Sequence, residues 1–346
     1  MLFVKTCLLF LVFMQLSWAQ NKSEVFFEKG ESFFENDSLD LAVNYYTKAI
    51  ELNNEYTYAL ISRGIVYERL KQFEQAEADY KKALSQNPNI AILYNNLGWL
   101  YYRQARYETA LQNYNKALEI DSELDLAYYN RSLTHAALEN LASALSDLKK
   151  AIVLQPTFNL AYIQLGILQL SLEQYQSAMV NFSIAIQNDS SQATAYYYRG
   201  QTLVALKEWS LSISEFDKAI YLDSNNIDYI RLKAAALISL KNWEAASRCY
   251  IKILDINLNA VLAYRQLGFI KLQTKAFDQA ESLLNRAIQL NNKDAMSYFY
   301  RALLYSEQRR YKNAISDFEQ AKQLDKFIDN WSFHYQKCKQ LLPKND

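Results

Sequence analysis

The sequence is poor in the residues that bend or break a chain. Of its 346 residues, six are glycine and three are proline, far below the usual share of these two residues in globular proteins. With so few glycine and proline residues, the chain has little room for many turns of varied type. The composition therefore favours one long repeat array over two ordinary domains.

Neither sign of charge is in excess, since 37 basic residues face 37 acidic ones. Nucleic-acid binders carry a basic surplus that neutralises phosphates, and a polybasic segment is what holds a protein on an anionic membrane surface. We therefore expect no nucleic-acid partner and no strong membrane-binding patch. Charge alone does not identify the partner.

Cysteine and histidine are scarce as well. After Cys7, near the start of the chain, only Cys249 and Cys338 remain, and they lie 89 residues apart. A disulfide needs Cα atoms within about 7 Å, so we expect two buried free thiols. His135 and His334 do not form a cluster with these cysteines at metal-ligand spacing. We expect no metal, no cofactor and no enzymatic activity.

The first 19 residues differ from the rest of the chain. Lys5 is their only charge, the run from Cys7 to Leu16 is apolar, and small residues at Ser17 and Ala19 precede Gln20. This is the layout of a secretory signal peptide, and its apolar run is short of the roughly 20 residues that span a bilayer. We expect export to a periplasmic or secreted location, with a bacterial envelope favoured. An uncleaved membrane anchor is the alternative.

What the sequence does contain is one pattern that recurs every 34 residues. Nine frames, without insertion or deletion, begin at Ser23, Thr57, Ala91, Asp125, Asn159, Ala193, Ile227, Val261 and Ala295. Position 8 of the frame is Gly, Ala or Ser, and every glycine of the chain lies there. Position 20 is Ala or Ser, and position 24 is Tyr, Phe or Leu. With all glycines at one repeat position, a glycine-rich phosphate loop is excluded.

The frame predicts two antiparallel helices in each repeat. Positions 4, 8 and 11 share one face of a first helix, and positions 20, 24 and 27 share one face of a second. Glycine within a helix costs about 0.8–1.0 kcal/mol relative to alanine, so its confinement to position 8 indicates a packing requirement. We expect small residues at positions 8 and 20 to bring the two backbones together, with large residues filling the space beside them.

These residues resemble a known family. The third frame reads Tyr94-x2-Leu97-Gly98-x2-Tyr101 and then Ala110-x3-Tyr114-x2-Ala117, which is similar to the signature of the tetratricopeptide repeat. The resemblance covers residues 23–328 and implies an all-α fold, a right-handed α-solenoid of nine 34-residue helix-turn-helix repeats. The expected repeats are 23–56, 57–90, 91–124, 125–158, 159–192, 193–226, 227–260, 261–294 and 295–328, after a short segment at 20–22. Residues 329–346 are expected to supply a capping helix and tail, because such arrays must cover the apolar face of their last unit.

The resemblance also implies where function lies. In this family the concave face is built from the first helices, chiefly positions 2, 5, 6, 9, 12 and 13, and it holds a partner protein or an extended peptide. Asparagines at position 6, here Asn96 and Asn130, grip a peptide backbone in similar superhelices because their amides both donate and accept hydrogen bonds. Tyrosine and arginine are enriched at binding hot spots. The predicted partner-binding residues are Asn95, Asn96, Trp99, Tyr102, Tyr129, Asn130, Tyr197, Tyr198, Gln201, Arg231, Arg265, Phe269, Phe299 and Tyr300.

Other interpretations stay open. The asparagines are also consistent with plain polar surface, and the aromatic residues with packing between adjacent repeats. Glu24, Glu28, Glu31 and Glu35 form a stripe on the first helix that suits either a basic peptide or a solvated end. For the whole chain, the alternative to a peptide-binding scaffold of the envelope is a structural subunit of a membrane-associated assembly. Such a subunit would use its convex face or its ends.

Overall fold

The computed structural model describes residues 22–342, and all regular secondary structure in that range is helical. Helix α1 covers 22–35. The remaining helices are α2 (Leu39–Leu52), α3 (Thr57–Arg69), α4 (Phe73–Gln86), α5 (Ala91–Arg103), α6 (Tyr107–Ile120), α7 (Asp125–Ala137), α8 (Leu141–Leu154), α9 (Asn159–Ser171), α10 (Tyr175–Asn188), α11 (Ala193–Ala205), α12 (Trp209–Leu222), α13 (Ile227–Ser239), α14 (Trp243–Ile256), α15 (Val261–Gln273), α16 (Phe277–Leu290), α17 (Ala295–Glu307), α18 (Tyr311–Leu324) and α19 (Trp331–Leu341). The predicted signal peptide (1–19) and the end of the predicted tail (343–346) lie outside the described residues. Between residues 22 and 342, no helix has the length and apolar character needed to cross a membrane.

The helices follow the 34-residue frame. The first helices of repeats 2 to 9 begin at position 1 of the frame, from Thr57 in α3 to Ala295 in α17. The second helix of each repeat begins at position 17, from Leu39 in α2 to Tyr311 in α18. The predicted all-α, helix-turn-helix architecture is confirmed, since within each unit consecutive helices pack as hairpins, such as α3 with α4 and α17 with α18.

The turn within each hairpin is built in one way. The residue at position 15 has a φ between 55° and 63° in all nine repeats, and none of the nine is glycine. The N–H of position 16 donates to the carbonyl of position 11, for example from Arg106 to Tyr101 at 2.8 Å. This bond closes the first helix as in a Schellman motif. A left-handed conformation costs a non-glycine residue about 1–2 kcal/mol, so packing on either side must hold the turn.

The glycines mark the closest approach of the two helices. A Cβ added to Gly98 would lie 2.5 Å from Cε1 of Tyr114, and the Tyr114 side chain is fully buried. Gly30, Gly64 and Gly200 meet the ring at position 24 of their own repeats in the same manner. The predicted packing requirement at position 8 is confirmed. Its physical source is the ring at position 24, which lies across the backbone of the first helix.

The described part of the chain separates into two compact units, one up to residue 168 and one from residue 169, with the boundary inside α9. In the first unit, Leu60, Tyr80, Leu97 and Tyr114 belong to one buried cluster that runs through successive repeats. In the second unit, α19 covers the last repeat. There Trp331 Nε1 donates to the carbonyl of Phe318 at 2.5 Å, and Tyr335 and Cys338 are buried. Cys249 and Cys338 are both free and buried, as predicted.

Candidate functional site

In the first unit, two of the predicted asparagines contact each other. Asn130 Nδ2 donates to Asn95 Oδ1 at 3.0 Å, and the residues are only 6% and 2% exposed. The bond joins position 5 of the third repeat to position 6 of the fourth. Asn130 and Asn95 are therefore not free to bind a peptide backbone, in contrast to the prediction. A buried amide with a satisfied partner stabilises the packing of adjacent repeats instead.

Asn96 and the aromatic residues beside it are more accessible. Asn96 is half-buried and its Oδ1 accepts a long bond of 3.4 Å from Asn95. Trp99 lies one turn further along α5 and stacks on Tyr102, with ring centroids 5.3 Å apart. Tyr129 packs against Phe158 at 5.0 Å, and burial raises the pKa of its hydroxyl. Asn96 and Trp99 are thus the predicted residues of this unit best placed to meet a partner.

In the second unit, the tyrosine pair of α11 packs between repeats. The Tyr197 ring lies 5.0 Å from Tyr198 and 4.8 Å from Tyr229 of the next repeat. Tyr198 stacks on Phe182 with centroids 6.0 Å apart. These contacts favour the interpretation that the two tyrosines pack between repeats, although both side chains are only half-buried.

Gln201 and Arg231 border an open depression of about 540 Å³. It is formed by the last residues of α9, the turn after α9 and the start of α10, together with α11 and α13. The other lining residues are Leu170, Ser171, Glu173, Tyr175, Val204, Ala205 and Leu232. Arg231 lies at the edge of this depression, and the Arg231 guanidinium donates to the exposed Asp228 carboxylate at 3.0 Å. The depression combines an apolar floor with a carboxylate, a guanidinium and an amide at its rim.

A second depression of about 330 Å³ lies 102 residues further along the chain, at equivalent repeat positions. Leu272 takes the place of Leu170, Phe277 that of Tyr175, and His334 of α19 that of Leu232. Gln273, Lys275, Leu303 and Glu307 complete its lining. Lys275 stands where Glu173 stands in the first depression. The architecture thus repeats the same cavity while the charge at position 15 changes sign, and Arg231 in the first depression and Glu307 in the second add the opposite charge to each rim.

The four remaining predicted residues are largely structural. Arg265 Nη1 donates to Asp294 Oδ1 at 2.6 Å, and its buried Nε has no acceptor among the described residues. Phe269 packs on Tyr300 with ring centroids 4.8 Å apart. Phe299 is 7% exposed and contacts Phe318 and the capping helix. Phe299 is therefore a core residue, because α19 covers position 5 of the last repeat, and it is not the partner contact that was predicted.

Sequence reasoning missed the arginines at position 7. Arg131 donates from Nε and Nη2 to the two oxygens of Asp147, both at 2.7 Å, and from Nη1 to Asn115 of the preceding repeat. Three other repeats contain the same bidentate pair between positions 7 and 23: Arg63 with Asp79, Arg199 with Glu215, and Arg301 with Asp317. A signal existed, because arginine stands at position 7 only where position 23 is acidic, whereas the other repeats have leucine there or, in repeats 1 and 7, lysine.

A second polar contact also joins neighbouring repeats. Tyr101 Oη donates to Glu77 at 2.9 Å, and the Arg106 guanidinium lies 4.4 Å above the Tyr101 ring. Tyr305, Glu281 and Arg310 repeat the arrangement in the second unit. Both sets link position 21 of one repeat to positions 11 and 16 of the next. They are structural contacts at the second-helix side and do not contribute to the depressions.

The described residues contain no group of three or more His, Cys, Asp or Glu side chains able to hold a metal ion. His135 lies 3.9 Å from Asp147 through Nε2, and its buried Nδ1 has no partner among the described residues. Burial lowers the pKa of His135, while Asp147 opposes that shift and Arg131 adds to it. The side chain belongs to the interior of the fourth repeat, at position 11.

Comparison with known proteins identifies the repeat. Tetratricopeptide repeat models match residues 23–56 and 57–123, and one such model matches 96–158, 163–227 and 267–327, which is more than half of the chain. No curated protein sequence matches it.

Several solved structures share the fold. The C-terminal part of a TPR repeat-containing protein from Cytophaga hutchinsonii has a TM-score of 0.58 at 16% identity and covers 69% of this chain and 98% of that chain. The pilF protein of Pseudomonas aeruginosa has a TM-score of 0.55 at 18% identity, covering 63% and 99%. PilW, described as a widely conserved type IV pilus biogenesis factor, has a TM-score of 0.55 at 21% identity, covering 62% and 98%. At these identities the likeness concerns the fold alone. The repeat-model matches carry the assignment, and the chain belongs to the tetratricopeptide repeat family.

Proposed function

We propose that the chain is a non-catalytic scaffold that binds an extended segment of a partner protein across the first helices of its second unit. The observation that carries the proposal is the pair of equivalent depressions, one bordered by Gln201 and Arg231 and the other by Lys275 and His334. Two cavities at the same repeat positions suit side chains that project at intervals from one peptide.

The lining of the first depression fits peptide recognition. Leu170, Val204 and Leu232 supply apolar surface, and burial of apolar side chains is the main favourable contribution to such binding. The Gln201 amide can both donate to and accept from a peptide backbone. Arg231 and Glu173 stand at the rim, where charges select among partners more than they add to affinity.

The change of charge between the depressions predicts a directional preference. At position 15, Glu173 of the first depression favours a basic side chain and Lys275 of the second favours an acidic one, whereas Arg231 and Glu307 favour the opposite charges elsewhere on the two rims. A peptide bound in one orientation would match both, whereas the reversed peptide would place like charges together, which is unfavourable. The bound segment is therefore expected to have apolar residues flanked by a basic residue at one end and an acidic residue at the other.

A substitution inside the depression tests the proposal. Peptides are first selected from a random library on the purified chain without residues 1–19, and the affinity of an enriched peptide is then measured by fluorescence anisotropy. Val204→Glu places a charge on the apolar floor, and we expect it to raise the dissociation constant by about tenfold or more. Val180→Glu is the matched control, because Val180 is 59% exposed and does not line the depression. Failure to enrich any peptide, or equal loss in both variants, would contradict the proposal.

We further propose that the scaffold acts in a bacterial envelope after export, as a periplasmic or secreted protein. The support is the sequence of residues 1–19, with its single charge, short apolar run and small residues before Gln20. The partner is then a protein of the same compartment, and membership of a membrane-associated complex is compatible with this location.

A further inference from the structure

Within each unit, the first helix of a repeat packs against the second helix of the preceding repeat. The contacts come from positions 7 and 11 of the first helix. Arg63, at position 7, donates from Nη1 to Thr47 at 2.9 Å. Tyr101, at position 11, donates to Glu77 at 2.9 Å. In the second unit, Lys233 at position 7 pairs with Asp217 at 2.5 Å. These positions form the face on which a preceding helix docks.

The first repeat has the same face, and no described helix precedes it. Lys29 is at position 7 and Phe33 at position 11, with Phe26 at position 4 of the same helix. The Phe33 ring stacks on Tyr45 of α2 at 5.1 Å, and Phe26 lies 6.1 Å from Tyr45. We name Phe26, Lys29, Phe33, Tyr45 and Lys48 the N-terminal end face. Its three rings are half-buried and its two lysines are exposed.

The lysines of the N-terminal end face lie over its rings. Lys48 Nζ is 4.7 Å from the Tyr45 centroid and 5.9 Å from that of Phe26. Lys29 Nζ is 5.8 Å from the Tyr45 centroid. Neither lysine has an ion pair in the part of the chain that the structure describes. The face is therefore aromatic and cationic, and its charges lack the carboxylate that such a lysine meets elsewhere in the chain.

Lys29 and Lys233 are the two lysines found at position 7. Lys233 binds Asp217, which is at position 25 of the preceding second helix. We propose that the N-terminal end face docks an amphipathic α-helix of a partner protein that presents a carboxylate to Lys29, as Asp217 does to Lys233. The docked helix takes the place that a preceding second helix takes in the later repeats.

A helix fits this face better than an anionic lipid surface does. Glu24, Glu28 and Glu35 are exposed on the other side of α1 from Lys29 and Phe33. The face itself thus presents two lysines, fewer than the roughly four to eight basic residues that hold a protein on an anionic membrane. A single helix of about 10 Å diameter can cover the rings and reach Lys29 without approaching these carboxylates. The surface shares no residue with the two depressions, so this inference does not rest on the peptide-binding proposal.

A charge-swap experiment tests the docking. The probe is a stapled, fluorescently labelled copy of residues 209–222, which carries the carboxylate of Asp217, and its binding to the chain without residues 1–19 is followed by anisotropy. We expect binding to weaken by about tenfold in Lys29→Glu and to recover when that variant meets the probe carrying Asp217→Lys. Lys82→Glu, the same charge change on the exposed face of the second repeat, is the control and should bind the original probe as the wild type does.

Three results would overturn the inference. The first is the absence of binding by the original probe to the wild-type chain. The second is equal weakening in the Lys29→Glu and Lys82→Glu variants, which would show only a general effect of charge. The third is Lys29-dependent binding to phosphatidylglycerol vesicles without probe binding, which would assign the face to lipid. Circular dichroism of each variant verifies that the helices are intact.

Discussion

Arg131 and Asp147 are joined by two parallel hydrogen bonds of 2.7 Å across the two helices of the fourth repeat. Asp147 is 6% exposed, so the pair is largely removed from water. In the third repeat the same two positions hold Leu97 and Asn113. These two positions thus hold a charged pair in four repeats and a neutral pair in three, while the remaining two repeats have lysine at position 7.

This relationship predicts a non-additive mutation pair. Arg131→Leu alone leaves the Asp147 carboxylate buried without its partner, and we expect it to lower the free energy of unfolding by about 3 kcal/mol, the lower end for breaking a buried pair, because Arg131 is partly exposed. Adding Asp147→Asn recreates the arrangement of the third repeat and should recover most of the loss. Urea denaturation of the three proteins measures the difference. Equal midpoints for the single and double variants would contradict the interpretation.

Position 8 requires a small residue and position 15 has a left-handed backbone, so exchanging glycine and alanine at these two positions of one repeat should have opposite effects on stability. Gly98→Ala should lower the free energy of unfolding by about 1–3 kcal/mol, the usual cost of overpacking, because its Cβ would lie 2.5 Å from the buried Tyr114 ring. Ala105→Gly should raise it by about 1 kcal/mol, because Ala105 is exposed with a φ of 57° and loses its left-handed penalty. Thermal unfolding of the two variants is the measurement. A stabilised Gly98→Ala protein would show that the ring at position 24 can move aside.

The pattern of pKa shifts predicts a loss of stability in mild acid. Burial lowers the pKa of both His135 and His334 from their ordinary value of 6.5. Asp147 opposes this shift at His135 and Arg131 reinforces it, while at His334 Lys337 reinforces it and Glu307 opposes it. The unfolded chain therefore binds protons more readily than the folded chain as the pH falls below 6.5. Stability is fully present above that value and declines below it.

The melting temperature between pH 8 and pH 5 tests this expectation. The wild type should lose stability below pH 6.5, and a variant with both His135→Gln and His334→Gln should lose less over the same interval. A separate loss is expected below pH 4.5 from Glu77. Burial raises the pKa of Glu77, but hydrogen bonds from Lys81 and Tyr101 and the charge of Arg106 outweigh it, so the net pKa is lowered. Identical pH profiles for the wild type and the double variant above pH 5 would contradict the role of the histidines.

Export predicts a defined mature terminus. When the full chain is produced in a bacterial host, we expect mass spectrometry of the periplasmic fraction to find Gln20 as its first residue, because Ser17 and Ala19 occupy the cleavage-site positions. Replacing Ala19 with Arg should block processing and keep the precursor in the membrane fraction. An unprocessed wild-type chain that resists a high-salt wash would favour the anchor instead.

Much of the fold was predictable because the periodicity is unbroken. Confinement of glycine to position 8 predicted close helix packing, and the partner ring of Tyr114 could be located by counting sixteen residues from Gly98. The helix starts followed from the same frame. The left-handed residue at position 15 was not predicted, since residues as different as Ala105 and Glu139 occupy it. The backbone geometry of the turn, more than residue type, selects that conformation.

The site was less predictable. Positions 5 and 6 are adjacent on a helix, and whether each faces a partner or the next repeat depends on how the repeats pack. Asn95 and Asn96 illustrate this, because the first is buried against Asn130 and the second is half-exposed. Phe299 is covered by α19; a capping helix was predicted there, but which residues of the last repeat it covers was not. Each depression is lined by residues of four helices, so only the structure could reveal that Gln201 and Arg231 share a cavity.

The most direct test of the peptide-binding proposal is site-specific photo-crosslinking. A photoreactive benzoylphenylalanine replaces either Gln201, which borders the first depression, or Gln187, which is exposed on α10. The two proteins are then irradiated with a peptide selected on the wild-type chain. We expect a covalent adduct from position 201 and none from position 187, and unlabelled peptide should compete the adduct away. Crosslinking from position 187 but not from position 201 would contradict it.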